Sequence, residues 1–260
     1  MKTRLVTTLL ALGLLAINTQ ASNAQIVNVQ PLMSGGEEVD GFQGEIGGSL
    51  TLKTGNIDLI LTTGSALFSY RTGAHKLISS STAELGIKSD STFMERIFTH
   101  LRHQVTLTDW LTWETYGQVA TDRFRRLSLR GLSGTGPRFA LVEGPAVGFA
   151  IAASYMFERE MLNASEFSDS EAAFNNHRLS LYITGKFILA PMLSMIHTTY
   201  YQPLLTDPMD FRVSSESNLN VKLTDSLGIS LGFTLSYDSR PPEEVADLDT
   251  ATNAKFTYSF

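Results

Sequence analysis

Cysteine is absent from the 260 residues. Its absence excludes disulfides, thiolate metal sites, a cysteine nucleophile and the lipid-modified cysteine of a lipoprotein. Long apolar runs are almost absent as well. The only one is Leu5 to Ile17, and no second segment approaches the ~18–20 residues of a membrane-spanning helix, so a polytopic helical membrane protein is excluded. Basic residues are outnumbered, 20 against 26 acidic ones, a formal charge of −6. What is present is apolar: 43% of residues are hydrophobic and 10% aromatic, too many core formers for a disordered chain. Mean hydropathy is nonetheless only +0.01. The apolar residues therefore either fill a soluble core or are spread one in two along strands.

The N-terminus bears on compartment. Lys2 and Arg4 precede the run Leu5 to Ile17, and Ser22-Asn23-Ala24 offers small residues ahead of Gln25, the layout of a secretory signal peptide cut near Ala24. An uncleaved anchor is the other reading, but the run is too short for a ~30 Å hydrocarbon core. Removing Lys2 and Arg4 from the 20 basic residues leaves 18 against 26 acidic ones, a formal −8. Such a chain has no electrostatic claim on nucleic acid. The expected organisation is a signal peptide at 1–24, a short N-terminal periplasmic segment at 25–41 and one β domain at 42–260.

The remainder has a period of two. Leu227, Ile229, Leu231, Phe233, Leu235 and Tyr237 alternate with Gly228, Ser230, Gly232, Thr234, Ser236 and Asp238. Val147, Phe149, Ile151, Ala153, Tyr155 and Phe157 alternate with Gly148, Ala150, Ala152, Ser154, Met156 and Glu158. Similar alternation marks the stretches around 96–107, 111–122, 127–141 and 211–223. Weaker strands are expected near 42–54, 57–71, 74–88, 178–188, 193–203 and 252–260, about twelve in all. Alternation alone does not separate a soluble sandwich from a membrane barrel. Connections do so better. Thr72-Gly73, Thr108-Asp109-Trp110, Val142 to Pro145, Leu189 to Met192 and Thr224-Asp225-Ser226 are short, and they are every second connection. On the other side Met161 to Asn176, Pro203 to Met209 and Ser239 to Ala251 are long and polar, and only Gly55-Asn56 is short. Short periplasmic turns opposite long extracellular loops predict an antiparallel transmembrane β-barrel.

Phe256, Tyr258 and Phe260 share one face of the last expected strand, and the chain ends on Phe260. This resembles the C-terminal signature by which the barrel-assembly machinery recognises outer-membrane barrels. Trp110, Trp113, Tyr155, Phe157, Tyr237 and Tyr258 fit interfacial aromatic girdles.

Three internal stretches carry a family likeness: Phe98-Thr-His-Leu-Arg-His103, Trp113-Glu-Thr-Tyr-Gly-Gln118 and Arg126-Leu-Ser-Leu-Arg-Gly-Leu-Ser-Gly-Thr-Gly-Pro-Arg-Phe139. With Tyr200-Tyr-Gln-Pro203, Asp210-Phe-Arg212 and Tyr237-Asp-Ser-Arg-Pro-Pro242, they resemble the salt-induced outer-membrane proteins, domain of unknown function 481. The likeness spans Gly41 to Phe260. It implies an outer-membrane barrel linked by name to salt or osmotic stress, and it carries over no catalytic residues.

With even positions of the fourth to sixth strands taken as lumenal, Arg96, His100, Arg102, Glu114, Gln118, Asp122, Arg126, Arg130 and Arg138 line one side of the interior. Arg178 and Lys186 follow from the eighth strand, and Arg212, Glu216 and Lys222 from the tenth. A charge facing lipid at mid-depth costs ~2–4 kcal/mol, which drives these residues inward. Two uses are open. Either Arg and Glu pair and plug a narrow lumen, or excess arginine on strands four to six forms an anion-attracting stripe in a narrow passive channel. Neither Gly-x-Ser-x-Gly nor His-Glu-x-x-His occurs, so no catalytic residue, metal ligand or cofactor is assigned. His197, next to Met195 and Thr199 on the apolar face, invites comparison with outer-membrane hydrolases. The rival from another class is a soluble periplasmic barrel with an apolar interior that binds a lipid or small ligand. The expected partners are outer-membrane lipid and the barrel-assembly machinery; the sequence carries no signal for oligomeric state.

Overall fold

In a computed structural model of the chain, residues 40–54, 58–89, 91–123, 126–162, 173–224, 227–242 and 245–258 are described. The expected signal peptide, most of the segment 25–41 and Phe260 lie outside them. Twelve strands follow one another: β1 (Gly41–Lys53), β2 (Leu59–Thr72), β3 (His75–Lys88), β4 (Ser91–Thr108), β5 (Leu111–Asp122), β6 (Leu127–Glu143), β7 (Val147–Leu162), β8 (Ala173–Ala190), β9 (Leu193–Pro203), β10 (Phe211–Lys222), β11 (Leu227–Asp238) and β12 (Leu248–Tyr258). Each pairs antiparallel with its sequence neighbour, in the order β1 to β12. The sheet is rolled. Glu114 on β5 accepts a 3.0 Å hydrogen bond from Tyr182 on β8, and Arg212 on β10 reaches Glu158 on β7 at 2.9 Å. Strands three apart in a flat sheet would be about 14 Å apart. The fold is an antiparallel β-barrel.

Burial follows the alternation. On β4, Arg96, Phe98, His100, Arg102 and Gln104 are buried while Ile97 and Leu101 are exposed. Even residues face inward from β3 to β11. The β2–β3 hairpin pairs Thr72 with His75, so that odd residues of β2 stand opposite even residues of β3; Leu227 opposite Tyr258 makes the same exchange between β11 and β12. The outer surface therefore carries Phe42, Ile46, Leu101, Val119, Ile183, Leu231 and Phe233, all exposed. An interior with buried arginine and glutamate under an apolar exterior is the reverse of what the soluble barrel with an apolar interior requires.

The five short turns gather at one end, where Gly73 takes φ +53° in the β2–β3 turn, a left-handed conformation that glycine adopts without steric cost. Aromatic rings mark both rims of the outer wall. Trp110 stacks on Phe139 with centroids 6.1 Å apart near the short turns, and Tyr201, Phe211 and Tyr237 follow one another at 5.5 and 5.8 Å near the long loops.

Several boundaries differ from expectation. β8 begins at Ala173 and β12 at Leu248, so two connections expected to be long give residues to strands that project further. The third connection is short too, because β4 begins at Ser91. Arg126 lies in the turn before β6 rather than in the strand, with φ 57°, yet is buried. The register shifts between Leu127 and Leu129, a bulge that puts Leu127 inside despite its odd number.

Candidate functional site

The inward wall of β6 to β10 builds a charged cluster at the long-loop end. Glu158 of β7 has no exposed surface and sits among three guanidinium groups. Arg130 donates through Nε at 2.8 Å and also through Nη2, Arg212 through Nη1 at 2.9 and 3.0 Å, and Arg178 through Nε at 3.4 Å. Three further carboxylates enclose these cations. Glu160 accepts from Arg212 at 2.9 Å and lies 3.5 Å from Arg130; Asp238 accepts from Arg212 Nε at 2.9 Å; Asp210 lies 2.9 Å from Arg178. Charge-assisted contacts of this kind are about twice as strong as neutral ones, and the guanidinium plane fixes their direction.

A second layer lies at mid-barrel. Glu114 accepts from Arg102 at 3.3 Å, from Gln104 at 2.7 Å and from the Tyr182 hydroxyl at 3.0 Å on both oxygens. The Arg102 guanidinium stands over the rings of Tyr116 and Tyr182, 5.3 and 5.9 Å from their centroids, and Tyr200 packs 5.1 Å from Tyr182. Glycine makes room for this layer: a Cβ at Gly134 would lie 2.4 Å from the Tyr116 ring. A cavity of about 20 Å³ remains, lined by His100, Gln118, Leu132 and Met156 among others, space for about one water. Nearby, Arg96 bridges Glu84 at 3.1 Å and Asp122 at 3.2 Å.

Beyond Gln104 the lumen widens into a vestibule of about 690 Å³ that opens among the short turns. Arg71, Lys76, Arg138 and Lys186 line it, with Thr112 and Thr184.

The sequence-derived residues thus divide by depth. Arg130, Arg178 and Arg212 converge on Glu158; Arg102 and Glu114 form the middle layer beside His100 and Gln118; Arg96 and Asp122 pair; Arg138 and Lys186 line the vestibule. Glu216 accepts from Asn218 at 2.6 Å, and Lys222 ends β10 at the short-turn end. The arginines of β4 to β6 draw partners from outside those strands as well: Glu84 comes from β3, and Glu158 and Glu160 from β7. These, with Gln104, Tyr182, Tyr200, Asp210 and Asp238, were not singled out as site residues. Parity was the available signal, since all are even-numbered and in or beside an alternating segment. Among the C-terminal aromatics, Phe256 and Tyr258 stand in β12 opposite Ile229 and Leu227.

His197 faces outward on β9. Its Nδ1 is 2.7 Å from Ser217 Oγ and its Nε2 3.0 Å from Thr199 Oγ1, which is itself 3.0 Å from Ser215 Oγ. Both ring nitrogens are thus engaged by hydroxyls, and the patch satisfies itself. Among the described residues no group of three or more His, Asp or Glu side chains is placed to hold a metal ion.

No curated protein matches the chain. Among solved structures, a NanC porin shares 8% identity at a TM-score of 0.48, over 84% of this chain and 99% of that one. A bacterial polysaccharide outer membrane secretin shares 9% at 0.49, over 86% and 87%. The translocator domain of the autotransporter NalP from Neisseria meningitidis shares 10% at 0.37, over 84% and 87%. Residues 45–260 match the family described as a protein of unknown function, DUF481, and the chain belongs to that family.

Proposed function

We propose that this chain is a non-enzymatic outer-membrane β-barrel whose lumen is closed in its long-loop half, with a structural role that includes presenting the long loops outward. The observation that carries the reading is the position of Glu158, wholly inaccessible and held by arginines from three strands, with Glu160, Asp210 and Asp238 around them. Such a network runs across the lumen from β6 to β11 and fills that side with paired side chains. The membrane itself is inferred from the wall. Exposed leucine, isoleucine and phenylalanine point outward, buried charges point inward, and the aromatic rims stand where interfaces would lie. Outer-membrane lipid is then the main contact, reached by export on the N-terminal signal and by insertion through the C-terminal strand.

Refolded protein added to a planar bilayer is expected to give no discrete conductance steps. Regular steps overturn the closed-lumen reading. One observation favours a second reading, a narrow passive channel. Gln43, Ser49 and Thr51, three of the inward positions of β1, and Ser65 on β2 are small or polar and exposed, so accessible space borders that wall. If steps are seen, Ser65→Trp narrows that side and lowers the conductance. A barrel that fractionates with soluble periplasmic proteins, and whose gel mobility does not change on heating, overturns both readings.

A further inference from the structure

The vestibule at the short-turn end is a cavity with a charge pattern of its own. At about 690 Å³ it lies within the size range of small-molecule sites. Four cations line it, one from each of four strands: Arg71 on β2, Lys76 on β3, Arg138 on β6 and Lys186 on β8. Its two carboxylates, Asp109 and Glu143, are exposed at the rim, one in a turn and one at the end of β6. Further in, Glu114 is buried and accepts from Arg102, Gln104 and Tyr182. The wall between rim and mid-barrel thus carries Arg71, which also lies 3.7 Å from the exposed Asp40, with Lys76, Arg138 and Lys186, and Gln104, Thr112 and Thr184 as neutral hydrogen-bonding groups. Arg138 Nε is buried and has no hydrogen-bond partner among the described residues, so one donor of this wall is left for a group that enters.

We propose that the vestibule is a binding site for a small hydrophilic polyanion, a sugar-sized molecule bearing several carboxylate or phosphate groups. Cations spread over four strands reward a ligand whose negative charges are also spread, and a single halide would meet one or two of them at most. Phe149 and Val142 are the only large apolar side chains among its lining residues, and the rest of its apolar lining is alanine and proline, too little for an acyl chain. Gln104 joins the site to the layer of Glu114, Arg102 and Tyr182 beneath it, and the ligand enters and leaves through the short-turn mouth. In the orientation proposed above, that mouth opens to the periplasm. The inference rests on that orientation for the side from which ligand comes, and on the cavity alone for binding.

The test is calorimetric titration of the full chain refolded in a neutral detergent at low salt, with tripolyphosphate, a galacturonate trimer and uncharged maltotriose as probes. Saturable binding of at least one anionic probe is expected, with maltotriose inert and affinity falling as salt rises from ~0.05 to ~0.5 M. Binding of tripolyphosphate alone identifies phosphate as the recognised group, and binding of the uronate alone identifies carboxylate. Binding of both assigns recognition to charge number. Lys76→Gln with Lys186→Gln is expected to weaken the anion about tenfold or more. Arg240→Gln, an exposed long-loop residue paired with Asp207 at 2.8 Å, is expected to leave it unchanged. Heat-modifiable mobility of each variant checks that the barrel has formed. No saturable binding, equal affinity for maltotriose, or full affinity in the double lysine variant overturns the proposal. Bilayer recordings are independent of this outcome, so a conducting lumen would overturn the closed-lumen reading while leaving the site standing.

Discussion

Glu158→Ala is the sharpest perturbation of the lumen. It removes the acceptor for Arg130 at 2.8 Å and Arg212 at 2.9 and 3.0 Å, with longer bonds from Arg178 and Asn176 at 3.4 Å. A hydrogen bond to a charged group is worth about 1.5–3 kcal/mol, but the contributions do not add, because Arg212 keeps Glu160 and Asp238 and Arg178 keeps Asp210. Removing one partner from a buried ion network costs about 3–5 kcal/mol, and that range is expected here. Glu158→Gln keeps the shape and one acceptor oxygen while turning an amide donor toward guanidinium, and falls between the two. The assay is urea unfolding in detergent micelles, followed by tryptophan fluorescence. Asp207→Asn, which breaks the exposed pair with Arg240, provides the scale of a surface change and is expected to shift stability by less than about 1 kcal/mol. A double-mutant cycle of Glu158→Ala with Arg212→Leu should give a coupling energy of about 0.5–3 kcal/mol. Glu158→Ala within about 0.5 kcal/mol of the parent, or zero coupling, refutes the cage.

Three further outcomes follow from the wall. Gly136→Ala would place a Cβ 2.1 Å from the Ala153 carbonyl oxygen and 2.6 Å from Ser154 Cα, so β6 and β7 must separate. The expected loss is about 1–3 kcal/mol or more, while Gly131→Ala, which meets nothing within 4 Å, stays within about 1 kcal/mol of the parent; equal effects would contradict the close approach. Because the chain lacks cysteine, single cysteines at Leu101, Val119, Ile183 and Leu231 can be compared with His100, Gln118, Thr184 and Thr234. Spin labels on the first set should be reached by oxygen dissolved in lipid and those on the second should not, and the absence of alternation would overturn the assigned faces. Tyr182→Phe deletes the hydroxyl that serves both Glu114 oxygens and should cost about 1.5–3 kcal/mol by the same urea titration.

Much of the barrel was legible because a wall that is apolar outside and charged inside imposes its period directly on the chain. Leu101 and Arg102 differ by one position and so face opposite media, and that contrast is written residue by residue. The short turns were equally plain, since Thr72-Gly73 or Thr108-Asp109-Trp110 interrupts the alternation. What the period leaves out is which inward residues meet. Arg212 and Glu158 are three strands apart and come together only through the curl and stagger of the rolled sheet. Glu158 also stands at the end of a run of small and apolar inward residues, Ala150, Ala152, Ser154 and Met156, which gives no local hint of a cation facing it. The bulge at Leu127 to Leu129 inserts a residue without any break in composition, so the alternation by itself puts Leu127 on the outer face. Tyr182 and Tyr200 carry no local sign of their place, because aromatic residues fit a girdle as readily as a lumen.

The charged lumen raises the question of why it is charged at all. A buried ion network is often no more stabilising than apolar side chains of the same volume, so stability alone does not explain Arg130, Glu158, Arg178 and Arg212. Register does. A strand displaced by one residue turns its whole inner set toward lipid, and if both faces were apolar that error would cost little. With Arg130 on β6, Glu158 on β7, Arg178 on β8 and Arg212 on β10, each slipped strand would expose a charge to lipid at ~2–4 kcal/mol apiece. The network therefore distinguishes the native register from its neighbours strand by strand. Replacing the four together, Glu158→Leu with Arg130→Met, Arg178→Met and Arg212→Met, is expected to leave the folded barrel about as stable as the parent in urea. The same variant should give a lower fraction of heat-modifiable barrel on refolding, because slipped pairings are no longer penalised. Loss of several kcal/mol with undiminished refolding yield would assign the cluster to stability and reject the register argument.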